Sequence, residues 1–565
     1  MRYKALLMAA GIVSASALQA QSVEDGKKML YYERYNSAED ILAKSINADP
    51  NNGAAWYTLT QTFLAQDKKA SADSLMNAAP ASLAGDPLVK IAKGQLLLMD
   101  GKKDEANKLF DEAIGSVKKR DQGEMMIKVA RAHVDAKEGD TNKALALLTE
   151  AEGREKKNPE LHMTRGDAYR KLANGGAAIE GYMAALSADG KYARAPFMIG
   201  KIYLSQDNKT AYVENFEKAV EIDPNFKPAL YELYYFNYFR DVNKAKDYLE
   251  KYIAASDPSP EHDYIRTDLM FVSRQYDEAI AQAQQLISAQ GANAEPRLYK
   301  LIAYSYDAKK DSLKAKELMT TYFEKQPEDK RVPKDYEFMG NLLQRFPGEE
   351  ITAAANLEKA VALDTSAVEK TKYIENLSNL YKKLNDHSKE AYWMGEAYKL
   401  KKDPTNTDLY NWGSAHYFAK EFQKADSVFG VYTAKYPDQV YGPYWQARSN
   451  AAIDTSMEQG LAVPHYTKLI EVASKDTAKN KALLIQSYGY LAAYNANVAK
   501  DYAKAVEHLD QILVLQPENN DAKANKEILQ KLVNTQQNRA TGDSTQGGNT
   551  DKTKTDGSGG NRSSR

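Results

Sequence analysis

Two stretches near opposite ends of the chain decide how it folds: Tyr35-Asn-Ser-Ala38-Glu-Asp-Ile-Leu42-Ala-Lys-Ser45-Ile-Asn-Ala-Asp-Pro50 and Tyr502-Ala-Lys-Ala505-Val-Glu-His-Leu509-Asp-Gln-Ile512-Leu-Val-Leu-Gln-Pro517. Both space their marked residues by three, four, three and five. Steps of three and four place Tyr, Ala, Leu and Ser/Ile on one face of a helix. The closing proline lacks an N–H and clashes with the preceding turn, so it ends that helix. A small residue recurring in an otherwise bulky stripe marks the place where another helix comes close.

Working outward, the same register returns at a period of roughly 34 residues, the length of a two-helix repeat. Gly26, Met29, Ala38, Leu42 and Pro50 form the first unit. Trp56, Leu59, Phe63, Ala72, Met76 and Ala79 follow, then Gly94, Leu97, Ala106, Phe110 and Ala113. Ala130, His133, Ala144, Leu148 and Ala151 make a looser unit, and Gly166, Tyr169, Ala178, Tyr182 and Ala185 a strict one. Gly200, Tyr203, Phe216 and Ala219 lead to Glu221-Ile222-Asp223-Pro224, a strong helix-end signature. The pattern weakens through Leu233, Ala245, Leu249, Met270 and Ala279. It recovers at Ala303, Tyr306, Ala315 and Met319, and at Gly340, Leu343, Ala353, Leu357 and Ala360. After a degenerate unit over Leu377–Tyr398 it returns at Gly413, Ala425, Phe429 and Pro437. It loosens again around Tyr444, Trp445, Pro464, Tyr466 and Ile470, and closes with Gly489, Ala505, Leu509 and Pro517.

On these residues the chain resembles the tetratricopeptide-repeat proteins over nearly all of residues 24–517. The resemblance implies an all-α, right-handed superhelical solenoid of about 12 to 14 helical hairpins. It also implies that the first helix of each hairpin lines a concave groove. Residues 520–534 read as a capping helix that covers the last apolar edge. Residues 535–565 are polar and nearly free of apolar side chains, so they are expected to be disordered. Two prolines within Ser256-Asp257-Pro258-Ser259-Pro260 restrict the backbone, and a kink is expected there. That places an N-terminal array at 21–257 and a C-terminal array at 258–519.

Residues 1–20 read as a signal peptide. Arg2 and Lys4 precede the apolar run Ala5–Ala17, and Ala15-Ser16-Ala17 and Leu18-Gln19-Ala20 offer small-residue cleavage sites. The run is too short to span a bilayer. An exported, periplasmic protein is therefore expected, with extracellular or outer-membrane-associated placement as the alternatives. Leu18-Gln19-Ala20-Gln21 and the tyrosine-rich repeats resemble exported proteins of Bacteroidota. So do Asp73-Ser74-Leu75, Asp311-Ser312-Leu313, Asp426-Ser427-Val428 and Asp476-Thr477-Ala478, which are similar to that phylum's O-glycosylation acceptor. Asp-Ser also caps helices, and this simpler role competes with the first.

Composition narrows the function. Lys and Arg total 76 against 77 Asp and Glu, which argues against a nucleic-acid binder. There is no cysteine, so disulfides, thiolate metal sites and a thiol nucleophile are excluded. The 38 tyrosines serve mainly as core filling, with a minority available as groove anchors. His133, His162, His262, His387, His416, His465 and His508 stand singly, without metal-ligand spacing. The Gly-Lys pairs at 26–27, 101–102, 190–191 and 200–201 lack the glycine five residues earlier that a phosphate loop needs. Glu349-Glu350 and Asp104-Glu105 suit helix starts, and neighbouring helix positions do not face one substrate. Lys118-Lys119-Arg120 and Arg154 with Lys156-Lys157 read as solvated faces.

No catalytic, cofactor or metal residue is assigned, and no enzyme is expected. The expected function is a periplasmic scaffold or adaptor that binds a partner protein or peptide in its groove. Its setting would be envelope transport, secretion or outer-membrane assembly, with TonB–ExbB–ExbD association as one version. An accessory protein or divergent enzyme of polysaccharide or peptidoglycan processing is the alternative, and a structural spacer is a third.

Overall fold

The computed structural model describes residues 22–543. The proposed signal peptide and the end of the polar tail lie outside the described residues. Among those described there is no strand; the chain is a succession of antiparallel helices in an all-α repeat solenoid. It divides into two compact units, Met1–Lys309 and Lys310–Arg565.

The first unit contains eight helix pairs, from 22–31 with Tyr35–Ala48 to Glu261–Val272 with Tyr276–Gln290, and then the helix Pro296–Ala308. The second begins with Ser312–Lys325. It continues through five pairs, from Pro333–Leu343 with Glu350–Leu363 to Lys481–Tyr494 with Tyr502–Leu515. It closes with the helix Asn520–Asp543, which runs nine residues past the end expected from sequence. That extension, Thr535–Asp543, belongs to the stretch read as disordered. Its apolar content is low, but it prolongs a helix already nucleated by the packed turns before it.

The small residues act as the sequence requires. A Cβ built on Gly166 would lie 2.5 Å from the Tyr182 ring, and one on Gly94 or Gly200 equally close to Phe110 or Phe216. The corresponding distances are 2.6 Å for Gly26 against Leu42 and Gly413 against Phe429, and 2.8 Å for Gly340 against Leu357. Two helix backbones thus meet across a glycine, and the large residue of the second helix lies flat on it. Ala38, Ala106, Ala178, Ala353, Ala425 and Ala505 are fully buried on the second helices. Several turns within a pair use one residue at positive φ followed by a capping side chain. Ala173, Asp207, Asn385 and Lys500 take the left-handed conformation. Asn174, Asn208, Asp386 and Asp501 then accept backbone N–H groups of the next helix.

Three expectations change. Gly489 has nothing within 4 Å of a built Cβ, so it is not a contact glycine. Ala492 packs with Leu509 instead, and the π-turn Asn495–Ala499 adds residues that shift the register. The loose register around 440–470 also has a cause. The connection from Ile453 to Val463 is long, with Met457 and Gly460 at positive φ. Buried Asp454 holds it, accepting from the backbone N–H of Gln459 at 3.1 Å and of Leu461 at 3.3 Å.

The third concerns Ser256–Pro260. It is not a junction between units; it is where the first hairpin docks. Asp257 accepts from Arg34 Nε at 3.2 Å and from the Ser37 backbone N–H at 3.2 Å, and Ser37 Oγ also donates to it. Tyr32 Oη donates to Asp223 Oδ2 at 2.8 Å, Lys227 Nζ donates to the Glu33 carbonyl at 2.9 Å, and the Arg194 N–H donates to Tyr31 Oη at 3.1 Å. The Tyr31 ring packs on Tyr192 and Phe226. The turn of the first pair therefore sits on three successive inter-pair turns, and the first unit winds back onto its own beginning. A cavity of about 280 Å³ remains along this seam, lined by Tyr35, Gln66, Lys227, Tyr252, Asp257 and His262 among others.

Candidate binding surface

The residue directly after each small contact residue points 100° away from the hairpin interface, toward the neighbouring first helix. Following that one position along the chain builds a surface. Gln61, Gln95, Arg131, Asp167, Lys201 and Tyr235 succeed one another at one per pair in the first unit. Asn341, Ser414 and Arg448 follow Gly340, Gly413 and Ala447 in the second.

In the first unit these rungs satisfy one another. Gln61 Nε2 donates to Gln95 Oε1 at 2.8 Å. Arg131 Nη1 donates to Asp167 Oδ2 at 2.5 Å, and Tyr182 Oη donates to Asp167 Oδ1 at 2.7 Å. Arg194 lies 3.6 Å from the same carboxylate, and Asp135 lies 3.6 Å from Arg131. Burial pushes the Asp167 carboxyl upward, but Arg131 and Arg194 more than offset this and hold it below its ordinary value. At Asp135 burial wins over Arg131 and raises the carboxyl. Lys201 Nζ donates to Glu232 Oε1 at 2.8 Å.

The polar rungs then give way to rings. Tyr231 and Tyr235 lie one turn apart on the helix Lys227–Asn237 and Phe239 stands in the turn after it, a stripe of rings that is 41%, 65% and 80% exposed. Most other tyrosines are structural: Tyr182, Tyr336, Tyr373 and Tyr432 are among the largest fully buried side chains. Tyr373 donates to Asp364 at 2.9 Å and Tyr381 to Glu358 at 2.8 Å.

The histidines stay dispersed. His133 is buried against Phe110, where desolvation lowers its pKa to about 4. His162 hydrogen-bonds the Lys156 carbonyl, His387 pairs with Glu390, and His416 pairs with Glu421. Among the described residues no group of three His, Cys, Asp or Glu side chains could hold a metal ion. No described helix is long and apolar enough to cross a membrane. In the Asp-Ser/Thr motifs, Asp311 caps its helix by accepting from the Lys314 N–H. Ser74 and Ser427 are exposed and donate to the carbonyl four residues earlier; Thr477 is exposed in a turn.

The rung residues were not singled out from sequence. Part of their signal was present, since Gln95, Arg131, Asp167, Lys201, Asn341 and Ser414 each stand one place after a recognised Gly or Ala, whereas Gln61 and Tyr235 follow Thr60 and Tyr234. What a rung meets across the groove depends on its neighbours, and sequence spacing does not give that.

Tetratricopeptide-repeat family models match residues 29–96 and 193–226. No curated protein matches the chain. Among solved structures, the C-terminal part of a TPR repeat-containing protein from Cytophaga hutchinsonii is 29% identical over 46% of this chain and 98% of its own, with a TM-score of 0.29. YrrB, described as a TPR protein with an unusual peptide-binding site, is 17% identical over 34% of this chain and 96% of its own, with a TM-score of 0.21. The Cut9–Hcn1 structure of APC/C is 13% identical over 89% and 95%, with a TM-score of 0.25. The match at 193–226 falls on a hairpin where Gly200 lies under Phe216 with Ala219 buried beside it, the contact that recurs at Gly94, Gly166 and Gly413, and the chain is a tetratricopeptide-repeat protein.

Proposed function

We propose that the chain is an exported scaffold that holds a partner protein through the groove face of its first unit. Repeats of this type are protein-interaction modules, and this coarse role follows from the family. The observation that supports a specific surface is the stripe Tyr231, Tyr235 and Phe239. Tyr235 holds the groove position that the preceding pairs fill with polar side chains, and with Tyr231 and Phe239 it leaves three large rings partly or largely exposed. Exposed aromatic clusters of this kind mark interaction sites, because they bury much area at little rotamer cost. The apolar run at residues 5–17 supports export to the periplasm, and envelope transport, secretion or outer-membrane assembly is the proposed setting. Arrays acting beside TonB–ExbB–ExbD components are one form of it.

The test is site-specific photo-crosslinking in intact cells, with the photoreactive group at Tyr235 or Phe239 and a control at exposed Met183 on a second helix. A discrete adduct from the stripe and none from Met183 is the expected result. Identical products at all three positions would remove the stripe as the binding face.

A further inference from the structure

A second surface, in the other unit, differs in chemistry from the stripe. Arg448 occupies the same hairpin position as Arg131, but no acidic side chain ion-pairs with it among the described residues. Its guanidinium lies over the rings of Trp445 at 4.9 Å, Tyr417 at 5.1 Å and Tyr444 at 5.6 Å. Arg448 Nη1 donates to Tyr444 Oη at 3.2 Å. Beside this box stand Phe418 and Tyr441, 58% and 51% exposed, packed on Trp445 and Tyr410 respectively. The Trp445 indole N–H is buried and finds no acceptor. A guanidinium flanked by three rings is partly dehydrated, yet its N–H groups are not used up by a carboxylate among the described residues. That arrangement suits an anion that arrives from outside.

We infer that Arg448 and its aromatic box form an acidic-segment recognition site: a Glu or Asp carboxylate of a partner protein accepts from the Arg448 guanidinium, while an adjoining apolar side chain covers Phe418 and Tyr441. Charge complementarity selects the occupant. The box holds a fixed cation with no internal counter-ion, and a planar guanidinium pairs with a carboxylate through two parallel N–H donors. The apolar flank selects against a bare anion and favours a segment that alternates acidic and aromatic residues. This site is separate in sequence from the Tyr231–Phe239 stripe, so the two readings fail independently.

The experiment uses the full chain and a fluorescein-labelled peptide of alternating Glu and Phe, read by fluorescence anisotropy. The matched Gln/Phe peptide and an acidic oligosaccharide, oligogalacturonate, are the comparison probes. The Glu/Phe peptide is expected to bind about tenfold more tightly than its Gln/Phe counterpart, the size of one charge-assisted pair. Arg448→Gln should remove that difference and leave Gln/Phe binding unchanged. Arg448→Lys, which keeps the charge and loses the fork, should retain only part of it. Phe418→Ser should weaken both peptides. Thermal melting of each variant checks that the fold persists. Equal binding of Glu/Phe and Gln/Phe, an unchanged difference in Arg448→Gln, or binding of oligogalacturonate in place of the peptides would overturn the proposal.

Discussion

Arg131 and Arg448 hold the same place in their hairpins, one residue beyond a buried alanine, yet they live in opposite electrostatic surroundings. Arg131 is neutralised from inside by Asp167, with Asp135 and Glu160 near. Arg448 has three aromatic rings and, among the described residues, no carboxylate paired with it. The difference shows that one backbone position can be spent on cohesion in one unit and left open in another. The repeat fixes where the residue sits, and the neighbouring pairs decide whether its charge is already used.

The sharpest way to break the comparison is Asp167→Ala. Asp167 is only 4% exposed at its side chain, and its loss removes the one short ion pair of Arg131, whose buried Nη2 already makes no hydrogen bond. A cost of about 3 to 5 kcal/mol is expected in chemical denaturation, as for breaking other buried pairs. Half-buried Arg448 has no such carboxylate to lose among the described residues, so Arg448→Gln should change stability by about 1 kcal/mol or less.

Next in size is Gly413→Ala, which drives a Cβ to 2.6 Å from Phe429, where Gly489→Ala meets open space. The first should cost about 1 to 3 kcal/mol through overpacking. The second should be neutral or slightly stabilising, since alanine is the better helix former. Thermal melts of the two variants test whether the contact register has been placed correctly.

The smallest effect belongs to the seam of the first unit. Hydrogen bonds from Ser37 and the charge of Arg34 outweigh burial and hold the Asp257 carboxyl below its ordinary value of 3.8. A depressed carboxylate contributes its stability fully above the unfolded value and loses it as pH falls through the folded one. Amide exchange across Tyr35–Ala48 should therefore stay slow at neutral pH and accelerate only below about pH 4, by an amount near 1 kcal/mol. Acceleration already at pH 6 would place the controlling group elsewhere, His262 first.

Much of the fold was legible because helix contact is a local property. Gly166 and Tyr182, or Gly413 and Phe429, are sixteen residues apart within one hairpin, and only glycine admits the ring. In the last pair Gly489 was misread, while Ala505 and Leu509 are buried as expected, because a π-turn after Tyr494 adds residues that no local composition announces. The groove was less legible. Tyr235 and Phe239 belong to a run of aromatic residues in which neighbours such as Tyr234 are buried, and only packing separates the two classes.

The sequence by itself determined the building block: its helices, their closest contacts and the absence of thiol chemistry. Each of these depends on residues at fixed short spacing or on composition. Tertiary structure alone decided that Ser256–Pro260 receives the first hairpin, that Asp167 is shared by Arg131 and Arg194 from other helices, and that Arg448 pairs with no carboxylate among the described residues. Those relations join residues tens to hundreds of positions apart, where small rotations per repeat accumulate and bring together side chains that no local pattern relates.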